Sequence, residues 1–529
     1  MKKQTKKLGT KVLALILGAM SVFGMASCGG NGKGNGNGNG GGGIGGDLKI
    51  SVARLGYGIT WLQELIKEFE KETNVDVKLV SKVGMVGTQA IQTEVQSKAS
   101  DTDLVFNKEL AFGKKVYEGN IQVKGKTYDC LYEDLTDIYN SVVDEGTTKT
   151  INDKIDKGFS SAFNINGKYY GMPWAGGVMG MARNLDVWNY LNLTDEDVPV
   201  TTDQLWALCD KVKFRKAPFI FCMEDNYVEG LLPIWMAQYE GVDSYNQFLE
   251  GKDPDGAITE HIFSYDGTKE MLTLAEKWFN KSNGYQHSKS DAVDFTQMQG
   301  LFLKDEALFC VNGTWLESEM INLGVDTQVD YIKTPVISSI IKKLSTVNND
   351  EQLAEVIAYV DAVDAGDTSA VKPAYVSDAD LKAVTEARHF AYISEGGAHQ
   401  AYIPSYAKNI EQAKAFLKFM YSDKGLNIYY KALNGATLPA TPVGEYDASI
   451  TPSVFLQASN AAFEQKHVLS TVVTNKYYIF TGITLSGTPS YGYMLRQFYN
   501  GTSTVDNMYT AVMNSAKAKF DSAKDKILG

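Results

Sequence analysis

The chain has 529 residues, of which 44% are hydrophobic, and a formal charge of -12. That length exceeds one ordinary core and suits a globular body of two lobes. So acidic a surface repels nucleic acid and anionic headgroups, which leaves neutral or cationic ligands as the easier class.

The first segment carries Lys2, Lys3, Lys6, Lys7 and Lys11 and no acid, followed by the apolar run Val12–Met20 that extends to Phe23. A basic head before a short apolar stretch reads as a secretory signal, too short to span a membrane comfortably. Its end, Met25-Ala26-Ser27-Cys28, resembles a lipobox, although Met25 stands where a leucine-like residue is usual. The resemblance implies that residues 1–27 are removed and that Cys28 takes a lipid anchor. Residues 28–46 are almost entirely Gly and Asn and lack the apolar mass to fold, so they read as a flexible tether. Their GxGxxG pattern carries nothing, because no strand precedes it.

The body opens with an alternating strand over 47–53, a loop over 54–59 and a helix. Thr60 and Gln63 form a capping box ahead of the stripe Trp61, Leu62, Leu65, Ile66 and Phe69. A strand over 75–80, a helix near 89–98 and a short buried strand over 103–106 follow. Strand and helix alternate, so a mainly parallel α/β sheet is expected, with ligands beyond the carboxyl ends of its strands. That rule places Tyr57 and the Phe106-Asn107 turn at a site.

Further along, Asn166-Gly167 marks a hairpin turn. A strand covers 178–183, and Thr201 with Gln204 caps a helix that turns Leu205, Leu208 and Val212 inward. Helices follow near 267–279 and 296–304, then a strand over 307–311 that ends in Asn312-Gly313-Thr314-Trp315. Residues 340–390, rich in Ala, Asp and Val, read as an inserted pair of small helices. A short strand at 401–404, a helix over 410–421 and a C-terminal helix near 505–520 complete the pattern. Trp188, Trp206 and Trp278 are expected in the core.

Cys130, Cys209, Cys222 and Cys310 sit in largely apolar surroundings without a CxxC pair, so reduced core thiols are expected, with a Cys209–Cys222 bridge as the alternative. The five histidines form no HxH or HExxH pair, and no GxSxG elbow or P-loop occurs. No cofactor, metal or catalytic residue is therefore assigned.

The order of the segments resembles extracellular solute-binding proteins of the maltose-binding type. The resemblance rests on the lipobox, Asp103-Leu-Val-Phe106, Asn166-Gly-Lys-Tyr-Tyr-Gly-Met-Pro173, Met181-Ala-Arg-Asn-Leu-Asp186, Pro199-Val-Thr-Thr-Asp-Gln-Leu205, Ala307-Leu-Phe-Cys-Val-Asn-Gly-Thr-Trp315 and Ala401-Tyr-Ile-Pro-Ser405. It implies a two-lobed periplasmic-binding-protein fold of type II, with a ligand cleft between the lobes. Crossovers are expected near Pro173, Pro335 and Leu433. One lobe then comprises 47–172 and 335–433, with an insertion at 336–396, and the other comprises 173–334 and 434–529. By the same resemblance Trp315 stacks on a sugar ring and Trp174 lines the cleft. Trp235 and Tyr57 are further aromatic candidates, and Arg54, Asn107, Asp225 and Glu317 are polar ones.

A pyranose asks for such a mixture, since aromatic faces cover its C–H groups and planar polar groups meet its hydroxyl rim. The expected function is a lipid-anchored monomeric receptor on the cell membrane that passes a sugar or oligosaccharide to ABC transporter permease subunits and binds no nucleic acid. The alternatives are a receptor of the same fold for a peptide, polyamine or metal complex, and a surface enzyme acting on glycans.

Overall fold

The computed structural model describes residues 44–529 except 109–111, 224–225, 318–326, 395–396, 398, 463–467, 472 and 488–490. Cys28, most of the tether and Asp225 therefore lie outside the described residues.

In chain order the principal elements begin with β1 (Asp47–Arg54), α1 (Thr60–Thr73), β2 (Asp76–Val83), α2 (Gly84–Gln96), β3 (Leu104–Asn107), α3 (Phe112–Glu118), β4 (Met172–Pro173) and β5 (Val178–Asn184). The middle holds α4 (Thr202–Val212), β6 (Ala217–Ile220), α5 (Leu232–Glu240), α6 (Asp266–Phe279), β7 (Ala307–Gly313), β8 (Val329–Ile332), α7 (Asp350–Asp364) and α8 (Asp378–His389). Then come β9 (Tyr392–Ser394), β10 (Gln400–Tyr402), α9 (Ile410–Met420), α10 (Asp423–Ala432), α11 (Val454–Ala462), β11 (Val468–Leu469), α12 (Lys476–Thr481) and α13 (Val505–Leu528).

These strands form two sheets. The first runs β2-β1-β3-β10-β4 and the second β6-β7-β5-β9-β11, with β8 also paired to β5. Alternation in β1 and β3 divides the first lobe's interior. Ile50, Val52, Leu104 and Phe106 face α1, α9 and α10, while Ala53 and Val105 face α2 and α3. Phe69 meets Phe416 at 5.1 Å and Trp61 meets Tyr429 at 5.3 Å, which ties α1 to α9 and α10.

Both sheets are mixed. β1 pairs in parallel with β2 and β3, but β10 runs antiparallel to β3 and to β4. In the second sheet β6 and β7 are parallel, and β5 is antiparallel to β7, β8 and β9. The sequence reading expected mainly parallel pairing. Strands that enter from the other lobe arrive from the opposite direction, and this sets the antiparallel pairs.

The chain leaves the first sheet at β4 and enters the second at β5, with Trp174–Gly177 between them. Its return lies between Ser394 and Gln400, not near Pro335, because β9 still pairs with β5. The inserted helices α7 and α8 accordingly belong to the second lobe. Arg388 grips Asp361 with Nε and Nη2 at 3.0 and 2.8 Å, Lys333 reaches the same carboxylate at 2.9 Å, and Gln238 Nε2 donates to Phe390 O. The third crossover is stapled to the first lobe: Thr441 N donates to Lys154 O at 2.8 Å and Asp156 N to Pro439 O at 3.0 Å. Beyond it, α11 packs Phe455 on Tyr331 at 5.3 Å.

Local signals hold in most places. Asn166 and Gly167 adopt φ of 54° and 81°, the pair of positive values that a type I′ hairpin turn requires. Thr201 accepts from Gln204 N at 3.3 Å. Thr60, by contrast, is already inside its helix. Ile59 is the N-cap and makes no side-chain bond, because the Leu55–Gly58 turn enters the helix one residue early. The four body cysteines are buried thiols without a disulfide, and burial pushes Cys130 up to about 11 and Cys310 up to about 12.

Candidate functional site

The carboxyl ends of β1, β3 and β7 all point to the seam where the crossovers pass. The first crossover, Trp174-Ala175-Gly176-Gly177, is gripped from both sides. Tyr57 on the first lobe donates to Gly176 O at 3.1 Å. On the second lobe the Trp315 ring lies over Gly177 and Gly313. A side chain at Gly177 would bring its Cβ within 2.9 Å of the Trp315 ring, and one at Gly176 within 2.8 Å of Phe159, so only glycine fits this close approach.

Trp174 is fully buried and stacks on Trp61 at 5.4 Å and 13°. Its Nε1 donates to Asn107 O at 3.0 Å. His399, on the second crossover, presents its ring edge-on to Trp174 and Tyr57 at 4.9 and 5.7 Å. Burial, helped by the nearby Lys108 charge, pushes the His399 imidazole down to about 3, so it is neutral at physiological pH.

One chamber, about 420 Å³, opens between 153–156 and the third crossover at 437–441, and two more open between the lobes. Of these two the smaller, about 220 Å³, is lined by Asp156, Lys157 and Phe159 from the first lobe and by Ser394, Val468 and Ser470 from the second. The larger, about 580 Å³, lies between α3 with the 162–165 segment and an arm of the second lobe, 471–483, with Gly397 and Gln400 beside it.

The family is decided at this point by sequence. Residues 64–451 match bacterial extracellular solute-binding proteins. The chain belongs to that family. No curated protein matches the sequence significantly. Solved structures are similar in fold. RafE in complex with raffinose has a TM-score of 0.57 at 16% identity, over 90% of this chain and 100% of that one. The ABC substrate-binding protein Lmo0181 from Listeria monocytogenes, in complex with cycloalternan, has 0.57 at 15%, over 90% and 98%. The GacH receptor of Streptomyces glaucescens has 0.55 at 14%, over 91% and 99%. These relatives share the two-lobed type II architecture.

As an extracellular solute-binding protein the chain is a binding protein that works outside the cytoplasm. Among the described residues no helix is long and apolar enough to cross a membrane.

The sequence-predicted residues fare differently in this receptor. Trp315, Trp174 and Tyr57 converge on the first crossover. Asn107 is near them but buried, its Nδ2 donating to Thr88 O at 3.3 Å. Arg54 is exposed at the end of β1. Glu317 accepts from Ser453 Oγ at 2.7 Å, joining the Trp315 turn to the start of α11. Trp235 is not at the seam. It is fully buried on α5 beside Trp206 and Trp278, and its Nε1 donates to Pro335 O. Its helix is apolar all round, which a sequence shows, but helix position in the lobe is a tertiary fact. Phe159, Ser394, Ser470, Thr471 and Thr474 line the two interlobe chambers and were not among the sequence candidates. They lie in short, weakly patterned segments, and only the approach of the two lobes makes them neighbours.

Proposed function

We propose that this receptor captures a sugar or short oligosaccharide in the interlobe seam and delivers it to an ABC importer. A diacylglyceryl group on Cys28 would hold it at the outer face of the membrane. The observation that carries the reading is a cavity between the lobes lined by Phe159 and Asp156 from one and by Ser394 and Ser470 from the other, beside a crossover that Tyr57 and Trp315 grip at Gly176 and Gly177. The raffinose and cycloalternan complexes of structures alike in fold support it. Trp315, with about a tenth of its surface exposed, is the proposed stacking residue.

A thermal-shift screen across mono- and oligosaccharides, peptides and polyamines tests the ligand class, since a ligand specific to the folded state raises the melting midpoint by mass action. A rise with sugars alone supports the reading, and a rise with peptides or polyamines alone replaces it. No turnover is proposed. Release of reducing ends from a bound glycan above a heat-killed control would make the protein an enzyme. Cys28→Ala is expected to shed the protein into the medium or leave the leader uncleaved.

A further inference from the structure

We infer that Lys154, which does not line the smaller interlobe chamber, positions that chamber's Asp156–Phe159 wall by pinning the third crossover to the first lobe. The inference rests on the reading that this chamber belongs to the ligand site, and it names the group that shapes it from outside.

The pin is a buried cation with every proton used. The Lys154 side chain is fully buried. Its ammonium donates to Asp144 Oδ2 at 2.6 Å, Asp423 Oδ1 at 2.7 Å and Tyr421 O at 2.8 Å, which matches its three N–H groups. A lysine is almost never buried without such partners, and removing it leaves the two carboxylates without their counter-charge. Asp423 carries the hold to the crossover. Its carboxylate accepts from Val443 N at 2.8 Å and from Gly444 N at 2.6 Å. Burial pushes the Asp423 carboxyl up, but Lys154 and these two amides outweigh it and hold the group below the usual carboxylate range.

The backbone of the same segment adds a second hold. Lys154 O accepts from Thr441 N at 2.8 Å, Ile155 bridges Ala440, and Asp156 N donates to Pro439 O at 3.0 Å. A chamber of about 420 Å³ opens between 153–156 and 437–441, so hydrogen bonds and the ion cluster, rather than close packing, keep the two segments together.

The held crossover then reaches the wall. A Cβ at Gly176 would lie 2.8 Å from Phe159 and 2.9 Å from Pro439, so both side chains press on the first crossover at one point. The Asp156 carboxylate accepts from Gly158 N at 2.7 Å, which fixes the turn into Phe159. Lys154 is thus a positioning residue that acts through Pro439 and Asp156.

The test is calorimetric titration of the full chain with maltose, raffinose and maltotetraose, combined with amide hydrogen exchange, for Lys154→Met, Asp423→Asn and Asp103→Asn. Asp103 is the control: a buried carboxylate of the same lobe, at the amino end of β3 away from the seam, that accepts from Lys49 N, Lys408 N and Asn409 N at 2.9 to 3.1 Å. All three variants are expected to melt lower. Folded Lys154→Met should bind sugar about tenfold more weakly, with exchange at 156–159 and 439–444 quickened about tenfold. Asp103→Asn should keep wild-type affinity within about twofold. Asp423→Asn carries the test if Lys154→Met does not fold, with a smaller loss in the same direction. Wild-type affinity in the folded variant, or a loss no greater than in Asp103→Asn, overturns the positioning role and leaves the sugar reading standing. If none of the sugars binds the folded wild type, the sugar reading falls and exchange alone decides the role of Lys154. Quickening at both segments then sustains it, and quickening that leaves 156–159 protected overturns it.

Discussion

Two nests of buried tryptophan invite comparison. In the first, Trp61 and Trp174 stack at the root of the seam with Tyr57 and His399 at their edges. In the second, Trp206, Trp235 and Trp278 pack inside one lobe at 5.9 to 6.5 Å. Every ring in both is almost wholly buried, so burial does not separate them. Provenance does. The first nest draws on α1 and on two crossovers, so any movement of the lobes works against it. The second draws only on helices of its own lobe. An aromatic residue at a crossover can serve a cleft while packed like core, and Trp315, folded over Gly177, is the one proposed to do so.

The comparison is broken most directly at Trp278. Replacing it with alanine is expected to cost about 3–5 kcal/mol of folding stability, as for a large core side chain, with ligand affinity of the folded fraction unchanged. Denaturant unfolding alongside titration reads both. Trp315→Ala is the counterpart. Loss of a stacking contact of about 2 kcal/mol weakens sugar binding roughly 30-fold, with a smaller change in melting. If Trp315→Ala binds normally and melts far lower, Trp315 belongs with the second nest.

A smaller effect distinguishes the second lobe's interior by pH. Burial pushes Glu229 up to about 7, although Ser486 donates to it through both its hydroxyl and its backbone N–H. Because the folded value lies above the unfolded one, this group's stabilisation is complete below the unfolded value of 4.5 and is lost as pH rises toward 7. Glu229 is only part-buried, so solvent screening trims the effect to about 1–2 kcal/mol. Urea unfolding at pH 5 and pH 8 is expected to show that decline in wild type and a flatter profile in Glu229→Gln.

The smallest expected effect is at the seam's far edge. Tyr117→Phe removes one interlobe hydrogen bond and keeps the ring on Phe480, which costs about 0.5–1.5 kcal/mol. Since that bond exists only when the lobes meet, the loss should appear as a few-fold weaker ligand affinity at an unchanged melting point. A lowered melting point with unchanged affinity would place the bond among static packing contacts.

Much of the fold was legible because local chemistry and tertiary need agree there. The stripe from Trp61 to Phe69, the Asn166-Gly167 turn, the Thr201 cap and the strand before Trp315 each carry a periodicity or a backbone requirement that one segment states alone. The candidate site was legible only in part. Tyr57 and Trp315 follow strand ends, which a sequence reveals, and both meet the first crossover, whereas Trp235, a weaker candidate, is fully buried inside one lobe.

By itself the sequence determined an acidic α/β body, the order of its strands and helices, and membership of a solute-binding family, because periodicity, caps and turn residues act over a few neighbours. Tertiary structure alone decided that the second crossover lies at 394–400, that α7 and α8 join the second lobe, and that Phe159, Ser394 and Thr471 share a seam. Each of these depends on pairing between segments hundreds of residues apart, and backbone hydrogen bonds between strands carry no residue code for their partner.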